Sequence, residues 1–233
     1  MNDVSAETSP NSTLDDLNKK YDLLFPEKIL AHALDTPDFE RPVVVSSFGA
    51  ESAVLLHMVA QIKPDIPVLF LDTGKLFGET LRYRDKLQHH LGLEDIRIVA
   101  PRRSQILEID PDGTLNKSNP DLCCKIRKVD VLERALAGHD SWISGRKRFQ
   151  TKNRKWMPII ERDNGRMKLN PMANYSSAAI RDYILEHNLP DHALYKRGYK
   201  SIGCLPCTSK STGDSRSGRW EGSTKTECGI HRP

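Results

Sequence analysis

Apolar residues run together without alternation in two short stretches, RPVVVSS from Arg41 and IPVLFLD from Ile66 to Asp72. A strand with one wet face alternates, so these unbroken runs predict strands buried on both faces of a parallel sheet. Between them Val54, Leu55, Met58, Val59 and Ile62 recur at helical spacing within ESAVLLHMVAQIK. Strand, helix, strand in that order is a βαβ unit. The pattern continues with a helix in FGETLRYRDKLQHHLGL, a third strand in IRIVA and a fourth in SWIS. Between these last two strands, NPDLCCKIRKVDVLERALAG reads as a helix with Asn119 as its cap, Pro120 in its first turn and Gly138 past its end. SSAAIRDYILEHNLP is one more, opened by serine and stopped by proline. Beyond about Arg197 the periodicity gives way to glycine, serine and charge, and no internal repeat is present. The predicted fold class is α/β, a doubly wound, mostly parallel sheet with an irregular C-terminal arm. Residues 1–13 read as a disordered leader, 14–200 as the α/β unit, and 201–233 as an arm of the same domain.

A chain of 233 residues is long enough for one domain with a real core. Its net charge of +4 is too mild to imply nucleic acid. The cations gather instead around glycine and serine, in SGRKRFQTKNRKW and SKSTGDSRSGRW, which suits a local anion site. No run approaches the roughly 18 apolar residues of a membrane span. The start, MNDVSAETSPNSTLDD, lacks the basic and apolar regions of a signal peptide. The expected location is therefore cytoplasmic, where five cysteines are better explained as metal ligands or catalytic thiols than as disulfides.

Two loops leave the carboxyl ends of the first two strands, where open α/β sheets bind ligands. The first is SSFGAES: Ser46, Ser47, Phe48, Gly49, Ala50, Glu51 and Ser52. Small residues entering a helix offer free N–H groups and the positive end of the helix dipole to an anion. The loop matches neither the GxxxxGK[ST] nor the GxGxxG pattern, and a plain strand-to-helix turn is its alternative reading. The second loop carries Asp72, Thr73 and Gly74, which are also ordinary turn residues. Side by side, the two loops point to a nucleotide cleft.

The cysteines form a constellation. Cys123 and Cys124 are adjacent, Cys204 and Cys207 form a CxxC, and Cys228 stands apart. Four thiolates in two pairs match tetrahedral zinc or an iron–sulfur cluster. Neighbours on a helix point about 100° apart, which a multi-iron cluster accepts more readily than a single ion does. Cys228, on a glycine-rich tail, is either incidental or a nucleophile that must travel. Lys225 and His231 would support its thiolate and Glu227 would oppose it.

Taken together, CCKIRK, LYKRGYKSIGCLPCT, SRSGRW and the terminal ECGIH, with SSFGAES and LDTG, resemble the assimilatory sulfonucleotide reductases. The likeness spans nearly everything after about residue 40 and is to the cluster-bearing branch acting on adenosine 5'-phosphosulfate (APS). Relatives acting on the 3'-phosphorylated nucleotide (PAPS) generally lack the two cysteine pairs. The resemblance implies an adenine-nucleotide α-hydrolase-like fold and a 4Fe-4S cluster on Cys123, Cys124, Cys204 and Cys207. It also implies reduction of activated sulfate to sulfite, with thioredoxin as donor. It places Cys228 on the catalytic nucleophile and Lys128, Arg216 and Arg219 on the sulfate-contacting cations. The spacer before the two arginines is a residue or two shorter than in some relatives. SGRKRFQTKNR, Ser144 to Arg154, with Arg146 and Lys147, falls on a basic loop that closes on the nucleotide.

A PAPS or dual-specificity reductase is the nearest alternative, since Arg146, Lys147, Arg148 and Lys152 could serve a 3'-phosphate. An ATP pyrophosphatase of tRNA thiolation fits less well, because those enzymes show SGGxDS where this chain has SSFGAES. A zinc-bound nucleic-acid module is the non-enzymatic rival. A homo-oligomer is neither implied nor excluded.

Overall fold

Thr13 opens the first helix by a capping box, its hydroxyl exchanging hydrogen bonds with Asp16. The computed structural model describes residues 13–211, 213, 216, 218–222 and 225–231, so the expected leader lies outside the described residues apart from Thr13 itself. Two helices that the periodicity reading passed over come first, α1 (Leu14–Tyr21) and α2 (Pro26–Leu34). The capping box was the legible signal for α1, and Pro26 in the first turn was that for α2.

The βαβ unit follows as predicted: β1 (Pro42–Ser46), α3 (Ser52–Ile62) and β2 (Val68–Leu71). Next come α4 (Gly78–Leu91), β3 (Ile96–Val99), α5 (Arg103–Ile109) and α6 (Leu115–Ser118). The helix of the paired cysteines begins at Asn119, whose side chain accepts the Leu122 N–H at 3.0 Å. It runs as α7 (Pro120–Cys124), a π-helical stretch (Lys125–Val129) and α8 (Asp130–Ala135). Then β4 (Ser141–Ser144), β5 (Ile160–Asp163), β6 (Arg166–Leu169) and α9 (Ser177–Glu186) complete the list. Ser176 caps α9 by accepting the Ala179 N–H.

The sheet order is β3-β2-β1-β4-β6-β5. All neighbours are parallel except β5, which pairs antiparallel with β6. The β5–β6 hairpin was not predicted, although its Asn164-Gly165 turn, with φ of 51° and 82°, is a strong hairpin signal. Successive residues of β1 face opposite sides of the sheet. Val44 joins the larger core with α1, α2, α3 and α9, whereas Val43 joins Trp142, Leu69 and the α8 residues Val131 and Leu132. Both faces are thus covered, as a parallel sheet requires. Among the described residues no helix is long and apolar enough to cross a membrane.

The chain runs from β1 to β2 on one flank of the sheet and from β4 to β6 and β5 on the other, so strand order reverses between β1 and β4. That switch point opens a crevice at the strands' carboxyl ends.

Candidate active site

The crevice is a cleft of about 230 Å³, walled by the loop after β1, the loop after β4 and the C-terminal arm. Ser46, Ser47, Gly49, Ala50, Glu51 and Ser52 all line it, at the N-terminus of the eleven-residue α3. Phe48 does not. Its φ of 47° turns the side chain inward, where it is fully buried and meets Phe70 edge-on at 5.3 Å. Burying that ring contributes about 1.5–3 kcal/mol, which offsets a left-handed backbone cost of roughly 1–2 kcal/mol. Phe48 therefore anchors the loop by its ring, and its substrate-contacting role from the sequence is corrected on this ground. The Ser46 hydroxyl accepts the Phe48 N–H at 3.2 Å and holds the bend.

After β4, Ser144, Gly145, Arg146 and Lys147 form the opposite wall. The two basic side chains are already engaged: Lys147 Nζ donates to Glu51 Oε2 at 2.7 Å, and Arg146 pairs with Glu161 and donates to Asn170 Oδ1 at 3.3 Å. Burial lowers the pKa of both, and the facing carboxylates act against that shift.

The second predicted loop splits by residue. Asp72 and Gly74 lie outside the cleft lining; Asp72 accepts the Gly74 N–H at 2.9 Å and shapes its own turn. Gly74 adopts a φ of 69° there. Thr73 is buried and lines the cleft. Its hydroxyl accepts the Lys75 N–H at 3.2 Å and shares a hydrogen bond with Cys204 Sγ, also at 3.2 Å.

Cys123, Cys124, Cys204 and Cys207 line one small cavity with Lys75, Arg127 and Lys128. All are free thiols. Burial raises the Cys123 and Cys207 pKa values and lifts Cys124 to about 11, with nearby cations acting against the rise. Among the described residues no three such side chains converge closely enough to hold a single metal ion. The four sulfurs share this cavity with three cations that would offset thiolate charge. Arg127, which sequence reasoning missed, is buried there; it donates to Asp110 Oδ2 at 2.7 Å and to the Thr73 carbonyl at 2.8 Å.

Lys128 lines both spaces, the cysteine cavity and the cleft. Burial opposes its charge, but Cys204, Cys228 and Cys124 outweigh that and raise its pKa. The cation thus sits between the four paired cysteines and Cys228.

The C-terminal arm roofs the cleft. Leu205 N–H donates to the Lys75 carbonyl at 2.7 Å, and Leu76 bridges Cys204, so the CxxC docks on the loop after β2. Arg219 donates from Nε to the Cys207 carbonyl at 3.1 Å and lies 4.4 Å over the Trp220 ring. Its guanidinium presses on Gly203: a methyl group there would stand 2.6 Å from Cζ. Gly218 is equally tight against the Ser209 carbonyl, so it is a close-approach residue. Arg216 donates to the Thr226 carbonyl at 3.1 Å, and burial pushes its pKa down to about 10 against the pull of Glu227.

Cys228 lines the cleft together with Lys128, Arg216 and Arg219. Its segment is held on both sides. Upstream, Glu227 receives Arg154 bidentately, Nε and Nη2 each at 2.7 Å. Downstream, His231 stacks on Trp142 with centroids 5.6 Å apart and planes 6° off parallel. Burial drives His231 well toward its neutral form, so it does not supply the positive charge that the sequence reading offered Cys228. Lys225 is engaged by Asp121. The Arg154–Glu227 pair was not legible in advance, because its partners lie 73 residues apart.

Residues 41–210 match the family described as the phosphoadenosine phosphosulfate reductase domain. A protein named adenosine 5'-phosphosulfate reductase from Mesorhizobium japonicum is 45% identical, covering 92% of this chain and 85% of that protein. One of the same name from a Chelativorans species is 46% identical over 94% and 90%. A phosphoadenosine 5'-phosphosulfate reductase from Gloeobacter violaceus is 37% identical over 99% and 98%. Among solved structures, a phosphoadenylyl-sulfate reductase from Candida auris in a phosphate complex superposes with a TM-score of 0.74, at 29% identity. It covers 88% of this chain and all of that one. The FMN adenylyltransferase of Candida glabrata, at 14% identity and TM-score 0.60, shares the fold alone.

Proposed function

The chain belongs to the phosphoadenosine phosphosulfate reductase family, and from that premise we propose that it reduces APS to sulfite and AMP in assimilatory sulfate reduction. The observation that carries this reading is the meeting of Cys228 with Lys128, Arg216 and Arg219 in one cleft beneath the loop after β1.

The reaction brings a thiolate to an anionic sulfate ester. At about 4 Å and an effective dielectric near 20, each cation contributes roughly 4 kcal/mol of attraction. Three cations converging on the sulfuryl oxygens remove the repulsion and hold the charge of the transition state. Cys228 Sγ attacks the sulfur, the bond from sulfur to the bridging phosphate oxygen breaks, and its electron pair leaves with AMP. The small-residue loop at the N-terminus of α3 receives the AMP phosphate. The product is S-sulfocysteine at Cys228. A thiolate of thioredoxin then attacks Cys228 Sγ, sulfite departs with the electron pair of the S–S bond, and the second thiol resolves the mixed disulfide.

The four paired cysteines fit a 4Fe-4S cluster by number, by their shared cavity and by the cations around it. Bound there, the cluster would fix the α7 turn and set the field at Lys128. Free thiols in this number suit a reducing cytoplasm. The arm from 201 onward is read as part of the 14–200 domain, since it completes both the cavity and the cleft.

APS is favoured over PAPS because Arg146, Lys147 and Arg148 each face a carboxylate, Glu161, Glu51 and Asp22. A 3'-phosphate would have to displace one of these partners or rely on the exposed Lys152 alone. Mixing the protein with either nucleotide and following intact mass tests the scheme: APS adds a sulfonate to Cys228, and Cys228→Ser abolishes the adduct while keeping nucleotide binding. An adduct persisting in that variant would overturn it. Competition between the two nucleotides reads the preference.

A further inference from the structure

One indole ring in the C-terminal arm stands among three cations. Arg219 Cζ lies 4.4 Å from the Trp220 ring centroid, Arg216 Cζ 5.7 Å and Lys225 Nζ 5.9 Å. Two of the three also have a carboxylate: Arg216 has Glu227 at 3.6 Å, and Lys225 has Asp121. Among the described residues Arg219 pairs with no carboxylate. What fixes it instead is the Cys207 carbonyl at 3.1 Å, the bare backbone of Gly203 and the Trp220 ring.

That ring is held where it is against local preference. Trp220 is 5% exposed, and its buried Nε1–H has no hydrogen-bond partner among the described residues. A buried donor without a partner is destabilising. Its φ of 48° is a strained backbone for a bulky side chain, and such strain persists only where the surroundings over-determine it. The backbone N–H of Trp220 donates to the Cys207 carbonyl at 3.2 Å, the same oxygen that receives Arg219 Nε. Ring and cation are thus pinned to one point of the CxxC turn. Phenylalanine would spare the orphaned donor, so the polar edge does not explain an indole here. The face does, because tryptophan attracts cations more strongly than the other aromatic rings.

An aromatic face and a carboxylate differ in what they leave to a ligand. A carboxylate would hold Arg219 and also neutralise it, and an incoming anion would have to displace it. A ring carries no net charge, so it holds the guanidinium and leaves the positive charge to act elsewhere. It also offsets the repulsion between Arg219 and Arg216, which works against the charge of Arg216. Trp220, Arg216 and Arg219 line the cleft with Cys228. We infer that Trp220 is a positioning residue for sulfuryl transfer, seating Arg219 beside Cys228 with its charge available to the sulfuryl oxygens. The inference rests on the proposed reaction.

A double-mutant cycle on the rate at which APS forms the Cys228 adduct, followed by intact mass, is the test. Trp220→Leu slows the adduct roughly tenfold, about 1.4 kcal/mol, which lies within the range of one cation–π contact. Trp220→Phe keeps a ring face and stays within about threefold of the wild type. In an Arg219→Ala background Trp220→Leu adds no further loss, since the group through which it acts is already gone. AMP, which lacks the sulfuryl group, keeps its affinity in every variant. Additive losses from Trp220→Leu and Arg219→Ala overturn the inference, and so does a Trp220→Phe variant as slow as Trp220→Leu. Weakened AMP binding in Trp220→Leu also overturns it, by assigning the ring to the shape of the cleft instead of to Arg219. Failure of the proposed reaction itself shows separately, as absence of any adduct in the wild type.

Discussion

Gly203 has no room for a methyl group, because the Arg219 guanidinium occupies the place where a Cβ would stand. Glycine here is a spacing device: it lets a cation lie against the backbone one residue before Cys204. Gly203→Ala pushes Arg219 off its seat without touching a core residue, and a displacement near 1 Å at a reacting centre can cost about 10²-fold. The expected result is a 10- to 100-fold fall in kcat/KM for APS with an unchanged urea midpoint; wild-type kinetics would show that Arg219 tolerates the shift. Legibility at this scale was uneven. The paired cysteines stood out because their type and spacing carry chemistry in themselves, whereas Lys128 and the two arginines were legible only through the resemblance to the sulfonucleotide reductases. Phe48 did not, since one positive φ reverses the direction in which its ring points. Asp72 and Gly74 were equally deceptive, as polar turn residues look alike whether they face a ligand or brace their own loop.

At the scale of elements, the structure departs from the sequence reading where distant segments meet. The parallel core strands announced themselves by unbroken apolar runs, yet β5 and β6 are short and charged, so only their Asn-Gly turn signalled them. The helix of the paired cysteines was legible from its cap to its end, but not its π-helical stretch, which depends on packing and marks functional sites in many helices. The tail clamp is likewise a tertiary product. Arg154 and Glu227 are both largely buried, and a charged hydrogen bond of this kind is worth about 1.5–3 kcal/mol. Glu227→Gln weakens the clamp, so the tail visits undocked states more often. Alkylation of Cys228 by iodoacetamide, followed by peptide mass, is expected to accelerate roughly tenfold; an unchanged rate would mean that the His231–Trp142 stack alone holds the tail.

For the molecule as a whole, acid sensitivity follows from a histidine far from the cleft. His192 is fully buried against Tyr83, its Nδ1 accepts the Leu194 N–H at 3.2 Å, and Nε2 therefore donates to Thr80 Oγ1 at 3.1 Å. Burial lowers its pKa from 6.5 to about 4. Between those values the unfolded chain binds the proton and the folded chain does not, so stability is complete above 6.5 and declines as pH falls toward 4. At about 1.4 kcal/mol per pKa unit the loss is on the order of 3 kcal/mol. His32 and His57, also held low by burial, add with the same sign. Urea midpoints measured from pH 7 down to 4.5 are expected to fall, and to fall less steeply in His192→Gln; parallel slopes would remove His192 from the account. The arm that closes the cleft has one more consequence. It lands on the loop after β2 through Lys75 and on β4 through Trp142, spanning the reversal in strand order. A chimera that imports residues 201–231 from a relative without importing both landing places would carry Cys228 on an unmoored strap. Grafting experiments across the family must therefore move three segments as one unit.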